Sequence, residues 1–136
     1  MNVRFLDTSY VLAVEVDTDQ RHKIAAPHWR TAKSDPRAKF VITSFVFSEV
    51  VTFLNSRARH DRAVEVGQRL LTSPAVEFIR VNRPLFDEGW AYFCAHADKN
   101  YSLTDCISFV LMRRRKIESA FSFDHHFRQA GFDIEP

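Results

Sequence analysis

Four carboxylates in this 136-residue chain, Asp7, Glu49, Asp105 and Asp124, stand where strands or helices can deliver them to one place. Asp7 ends the apolar run Val3-Arg4-Phe5-Leu6, and Asp124 follows Ser119-Ala120-Phe121-Ser122-Phe123. Asp105 falls in the first turn of a helix opening at Ser102, and Glu49 lies on a helix that directly follows the strand-like Phe40-Val41-Ile42. In an open α/β sheet, ligands collect at the carboxyl ends of the strands, so all four acids can meet at one edge. Unpaired carboxylates gathered there repel one another and raise each other's pKa. A hard divalent cation such as Mg²⁺ or Mn²⁺ relieves that conflict, since it prefers oxygen ligands and needs only one or two direct carboxylates. Such a site orients a water, lowers its pKa and holds a phosphodiester, so the chemistry in view is metal-dependent phosphodiester hydrolysis.

Each acid also has a structural account. Ser102 and Asp105 have the spacing of a capping box, and an acid in a first helical turn favours the dipole. Asp7 suits the N-cap of a following helix. Asp124 before His125-His126 suits a turn. Glu49 lies among Phe45, Val46, Phe47, Val50, Val51, Phe53 and Leu54 on a helix with little solvated face. A buried carboxylate there must be paired, metal-bound or neutral, with an arginine salt bridge as the structural alternative.

The elements that must position these residues follow from apolar periodicity and turn chemistry. Strands are predicted at Val3 to Leu6, Phe40 to Ile42, Val76 to Val81, Ser119 to Phe123 and Phe132 to Ile134. Helices are predicted from Tyr10 to Val16, from the Asp17-to-Gln20 turn to Lys33, from Ser44 to Ser56, from His60 to Thr72, from Pro84 to His96 and from Ser102 to Arg115. Pro27 should kink or split the second helix. Ile24, Ala25, His28 and Trp29 are expected on its inner side, and Leu85, Phe86, Trp90 and Phe93 on that of the fifth. Short apolar strands alternating with helices predict a parallel sheet covered on both faces, an α/β fold occupying residues 1–136 as a single domain.

Composition narrows the classes. Hydrophobic residues make up 46% and charged residues 26%, ordinary for a globular protein, and a net charge of +2 leaves nucleic-acid attraction to local patches. Cys94 and Cys106 build neither a disulfide framework nor a CxxC zinc site, which fits a reducing cytoplasm. No apolar stretch approaches the roughly 20 residues of a membrane span, and Asp7 interrupts the N-terminal run that a signal peptide would need.

The segments Phe5-Leu6-Asp7-Thr8-Ser9, Ser48-Glu49-Val50, Tyr101 to Cys106 and Ser122-Phe123-Asp124-His125-His126-Phe127 together resemble the PIN-domain nucleases, and most closely the VapC-like toxins of bacterial toxin–antitoxin pairs. The resemblance runs through the closing Phe127-Arg128-Gln129-Ala130-Gly131-Phe132. It implies a Mg²⁺- or Mn²⁺-dependent ribonuclease acting on RNA, with Asp7 and Asp105 as principal metal ligands and Glu49 and Asp124 as supporting acids. Thr8, Thr104 and Ser122 match the small hydroxyl residues beside the metal. It further implies a homodimer and a cognate antitoxin, lying in an apolar groove near the early helices and placing a basic residue close to the acids.

Rival readings are specific. A haloacid-dehalogenase-like phosphatase would use Asp7 as nucleophile, but that family resembles Asp-x-Asp-x-Thr, and position 9 here is Ser. A non-catalytic PIN-like module would only bind a partner. Arg113-Arg114-Arg115-Lys116 reads as a helix end complementing the dipole, with phosphate binding as its functional alternative. His125-His126 lacks a second ligand pair for zinc. Phe45, Phe47 and Phe53 read as core or partner-facing rather than base-stacking residues.

Overall fold

The computed structural model describes residues 3–57 and 59–136. Five short strands, β1 (Val3–Leu6), β2 (Lys39–Thr43), β3 (Val76–Ile79), β4 (Ser119–Phe121) and β5 (Asp133–Glu135), form one sheet in the order β3-β2-β1-β4-β5. Every neighbouring pair is parallel. Seven helices connect them: α1 (Thr8–Glu15), α2 (His22–Ser34), α3 (Ser44–Ser56), α4 (His60–Thr72), α5 (Arg83–Ala95), α6 (Leu103–Arg115) and α7 (His126–Gln129). The chain winds outward from β1 through β2 to β3, then returns to place β4 on the other side of β1. That reversal puts a crevice beyond the carboxyl ends of β1 and β4, the place where α/β sheets bind ligands.

Side-chain alternation assigns the two faces. Phe40 and Phe121 meet Trp29 of α2 and Tyr10 of α1, with ring centroids 4.7 and 4.9 Å apart respectively. Phe5 points the other way, against Phe127 of α7, which in turn packs on Phe109 of α6. Helices therefore cover both faces, as expected of strands that are apolar throughout. Helix α6 is buried without interruption from Asp105 to Met112, so it behaves as a core element rather than an amphipathic surface helix. Its polar Ser108 is satisfied by donating to the Thr104 carbonyl. Gly89 of α5 lets α5 and α6 approach closely: a Cβ there would stand 2.4 Å from Ile107 Cγ1.

Several expectations are corrected. Helix α2 is continuous through Pro27. Lys23, whose carbonyl would have bonded to residue 27, lies with Pro27 on the exposed side, where water can satisfy it. Ile24 is exposed, one position of helical rotation away from the buried Ala25. On α5 the buried residues are Leu85 and Gly89, facing α6, and this rotates Phe86, Trp90 and Phe93 outward. Strand β4 stops at Phe121, so Ser122 and Phe123 belong to the loop before Asp124. The basic helix end is engaged within the protein: Arg114 pairs with Glu88 and Arg115 with Glu77, while Arg113 donates to the Ala130 carbonyl.

Candidate active site

Asp7 holds the N-cap position of α1, yet its carboxylate makes no capping bond. It is 5% exposed, and its Oδ2 accepts hydrogen bonds from the hydroxyls of Ser9 at 2.7 Å and Ser122 at 2.8 Å. Both hydroxyls are oriented by the loop after β4: Ser9 Oγ accepts the Phe123 N–H and Ser122 Oγ accepts the Asp124 N–H. With their acceptor sides so occupied, each serine directs its single proton at Asp7. Arg21 steadies the same loop, donating to the Phe123 carbonyl and lying 4.9 Å from its ring centroid. Burial is the main reason the Asp7 carboxyl is pushed up to about 6, with Asp105 and Asp124 adding repulsion against the partial relief of the serine bonds.

Asp105 has both of its sequence roles at once. The capping box is formed, with Ser102 N donating to Oδ2 and Ser102 Oγ accepting from the Asp105 N–H. The carboxyl is nonetheless 8% exposed and raised above the ordinary value, chiefly by burial and further by Asp124. The cap engages only Oδ2, so Oδ1 has no protein donor among the described residues. Asp124 is half-buried and makes an Asx-type turn, its Oδ1 accepting the His126 N–H at 2.9 Å.

Glu49 departs from the sequence reading. It is exposed rather than buried among phenylalanines, and its Oε1 accepts the Thr8 hydroxyl at 2.6 Å. Helix α3 buries Val46, Val50 and Leu54, with Phe45, Phe47 and Val51 half-buried beside them. Ser48, Glu49, Thr52, Asn55 and Ser56 then form an exposed polar strip that the count of apolar residues concealed. Through Thr8, the neighbour of Asp7, Glu49 is tied to the same edge of the sheet, and among the described residues it has no arginine partner. Thr104 lies in the first turn of α6 beside Asp105.

Two contributors carried no specific role in the sequence reading. Ser9 is one half of the clamp on Asp7, and its i+2 spacing was the only clue. His126 brings Nδ1 to 3.2 Å from Asp124 Oδ1 and 3.6 Å from Asp105 Oδ2, and neither contact is a hydrogen bond. Asp105, Asp124 and His126 each offer a ligand atom, all within 4.8 Å of one another. Raised carboxyls, carboxylate oxygens free of protein donors and an orphaned buried nitrogen suit a divalent cation, so the donor set fits such an ion.

A family profile described as "PIN domain" matches residues 4–133. The chain belongs to the PIN-domain family. Among characterised relatives, this PIN domain is 33% identical over 134 residues to the "23S rRNA-specific endonuclease VapC20" of Mycobacterium tuberculosis, covering 97% of this chain and 98% of that one. The crystal structure of that organism's VapC20, described as a sarcin–ricin-loop-cleaving toxin, superposes with a TM-score of 0.84 at 32% identity, covering 96% of this chain and 95% of that one. VapBC2 from Rickettsia felis, solved bound to a DNA fragment from its promoter, shares the fold at a TM-score of 0.70 and 10% identity, over 98% and 97% of the two chains. No helix among the described residues is long and apolar enough to cross a membrane.

Proposed function

We propose that this PIN domain is a divalent-metal-dependent endoribonuclease of the VapC toxin class, with Asp7, Glu49, Asp105 and Asp124 as its acidic centre. The observation that carries the proposal is the gathering of two buried carboxyls, Asp7 and Asp105, both raised chiefly by burial, with the half-buried Asp124, a concentration of acid whose mutual repulsion a cation would offset. Bound Mg²⁺ or Mn²⁺ would supply charge for the phosphodiester and acidity for a water. The protein's part is positional. Ser9 and Ser122 fix the Asp7 carboxylate, the capping box fixes Asp105, and the Asx turn fixes Asp124, so the three acids need little reorganisation before reaction. Glu49, held by Thr8 at the same edge of the sheet, stands where an attacking water can be oriented.

The phosphatase reading is disfavoured by Ser9, which stands where that chemistry wants a second acid and hydrogen-bonds the would-be nucleophile instead. The nuclease reading is tested by incubating the purified chain with ribosomal RNA, the substrate class named for its relative, with Mn²⁺ or Mg²⁺ and with EDTA. Metal-dependent cleavage, lost in the Asp105→Asn variant, is the expected result; an intact substrate under every metal leaves only a binding module.

Two partner surfaces support the rest of the proposal. A cavity of ≈ 360 Å³ between α1, α2 and α4 is lined by Tyr10, Val11, Val14, Trp29, Val66 and Leu70, an apolar groove suited to a segment of a cognate antitoxin. On α5, Phe86, Trp90 and Phe93 are exposed along one stripe, with the Trp90 and Phe93 rings stacked at 5.5 Å, an apolar face suited to a homodimer. An RNase of this kind acts in the cytoplasm, where its substrate is.

A further inference from the structure

Among the described residues, one buried side-chain nitrogen or oxygen lacks a hydrogen bond, and it lies in the acidic centre: Nδ1 of His126. A buried imidazole nitrogen without a partner is costly unless something else occupies its lone pair or takes its proton. Among the described residues no group hydrogen-bonds to it. The His126 ring is edge-on to Tyr101 at 5.4 Å between centroids and beside His125 at 4.6 Å, and the oxygens nearest Nδ1 belong to Asp124 and Asp105. Neither contact is a hydrogen bond. Nδ1 faces the acids at 3.2 and 3.6 Å without bonding them. Adjacent ligands of an octahedral ion with bonds of ~2.1 Å lie about 3.0 Å apart, close to the 3.2 Å between Nδ1 and Asp124 Oδ1.

We propose that His126 is a nitrogen ligand of the divalent cation held by Asp105 and Asp124, converting an all-oxygen site into a mixed one. The proposal rests on the metal-dependent reading above and adds to it a ligand and a metal preference. Imidazole favours the later first-row ions, whereas Mg²⁺ gains little from it, so the site should prefer Mn²⁺ and more strongly Co²⁺ over Mg²⁺. The backbone N–H of His126 already binds Asp124 Oδ1, so one residue orients an acid and supplies a second donor beside it.

The test is pulsed electron paramagnetic resonance of Mn²⁺ added to the full chain, read for hyperfine coupling to a coordinated histidine nitrogen, with binding isotherms for Mn²⁺, Co²⁺ and Mg²⁺. The wild type and His125→Gln should show the coupling; His126→Gln should lose it. Co²⁺ affinity should fall by at least about tenfold in His126→Gln, the scale of disturbing a metal's immediate surroundings, with Mg²⁺ affinity little changed. Mn²⁺ bound by the wild type without nitrogen coupling overturns the histidine ligand and leaves the acidic site standing. Coupling that survives in His126→Gln, or disappears in His125→Gln, also overturns it. No Mn²⁺ binding at all overturns both readings. Should His126→Gln fail to fold, the wild-type spectrum and the His125→Gln control decide the matter without it.

Discussion

Replacing Asp7 by Asn tests the cost of its buried charge, and the same variant in Mn²⁺ tests whether Asp7 is a metal ligand. The Asp7 carboxyl is raised from 3.8 to about 6 in the folded protein, mainly by burial. The folded chain therefore keeps this proton to higher pH than the unfolded chain does. As pH rises from about 4 to about 6 the unfolded state releases its proton first, and stability falls. Above about pH 6 the whole cost is present, and a pKa higher by about two corresponds to about 3 kcal/mol. Asn carries no charge to bury, and its amide oxygen can still accept the Ser9 and Ser122 hydroxyls. In EDTA near pH 7.5 the Asp7→Asn chain should be more stable than wild type by up to about 3 kcal/mol, which is roughly 10 °C in Tm for a chain of this size. Near pH 4, where Asp7 is largely neutral in the folded state and about half so in the unfolded one, most of the advantage should vanish. Mn²⁺ should stabilise the wild type and much less the variant. Thermal unfolding by circular dichroism across this pH range, with EDTA or Mn²⁺, makes the measurement. A variant less stable than wild type in EDTA at neutral pH, or an advantage that does not shrink on acidification, would refute the reasoning.

Asp105→Asn should keep the capping box, since an amide oxygen can accept the Ser102 N–H, and should remove a carboxyl that burial raises, so stability in EDTA should hold or rise while RNA cleavage falls by at least about a hundredfold; unchanged cleavage would reduce Asp105 to a cap. Because the Asp7 carboxyl is raised to about 6, a cation bound at it must displace its proton, so Mn²⁺ affinity should climb by up to about tenfold per pH unit towards pH 6; calorimetric titration giving a flat profile between about pH 4 and 6 would contradict this. Trp90 is 51% exposed and stacked on Phe93, so in the proposed homodimer Trp90→Glu should give monomers in sedimentation without lowering the melting temperature by more than a few degrees; a wild type that sediments as a monomer, or a variant that still dimerises, would contradict this.

The fold was legible in the sequence because its strands are short apolar runs with helical stretches between them, a pattern that admits few arrangements other than a covered parallel sheet. Asp7 was legible for the same reason, and Asp124 less directly, because β4 ends at Phe121 and a loop carries it. A carboxylate just past a buried strand comes out at the ligand-binding edge wherever that strand sits in the order. The capping box at Ser102 and Asp105 could be read directly, since both partners lie within one helical turn. Local sequence does not show which way a helix faces. Glu49, Ile24, Phe86, Trp90 and Phe93 were each placed inward from local apolar density, and each is exposed. A helix's rotation about its axis is set by what it packs on: Gly89 meeting Ile107 turns α5, and Val46, Val50 and Leu54 turn α3. The serine clamp on Asp7 and the approach of His126 to Asp105 were decided by tertiary structure alone. Ser122 lies 115 positions from Asp7 and joins it only because β4 pairs with β1. Hydrogen-bond reach is a few ångströms in space and carries no trace along the chain, so no spacing rule announces such a contact.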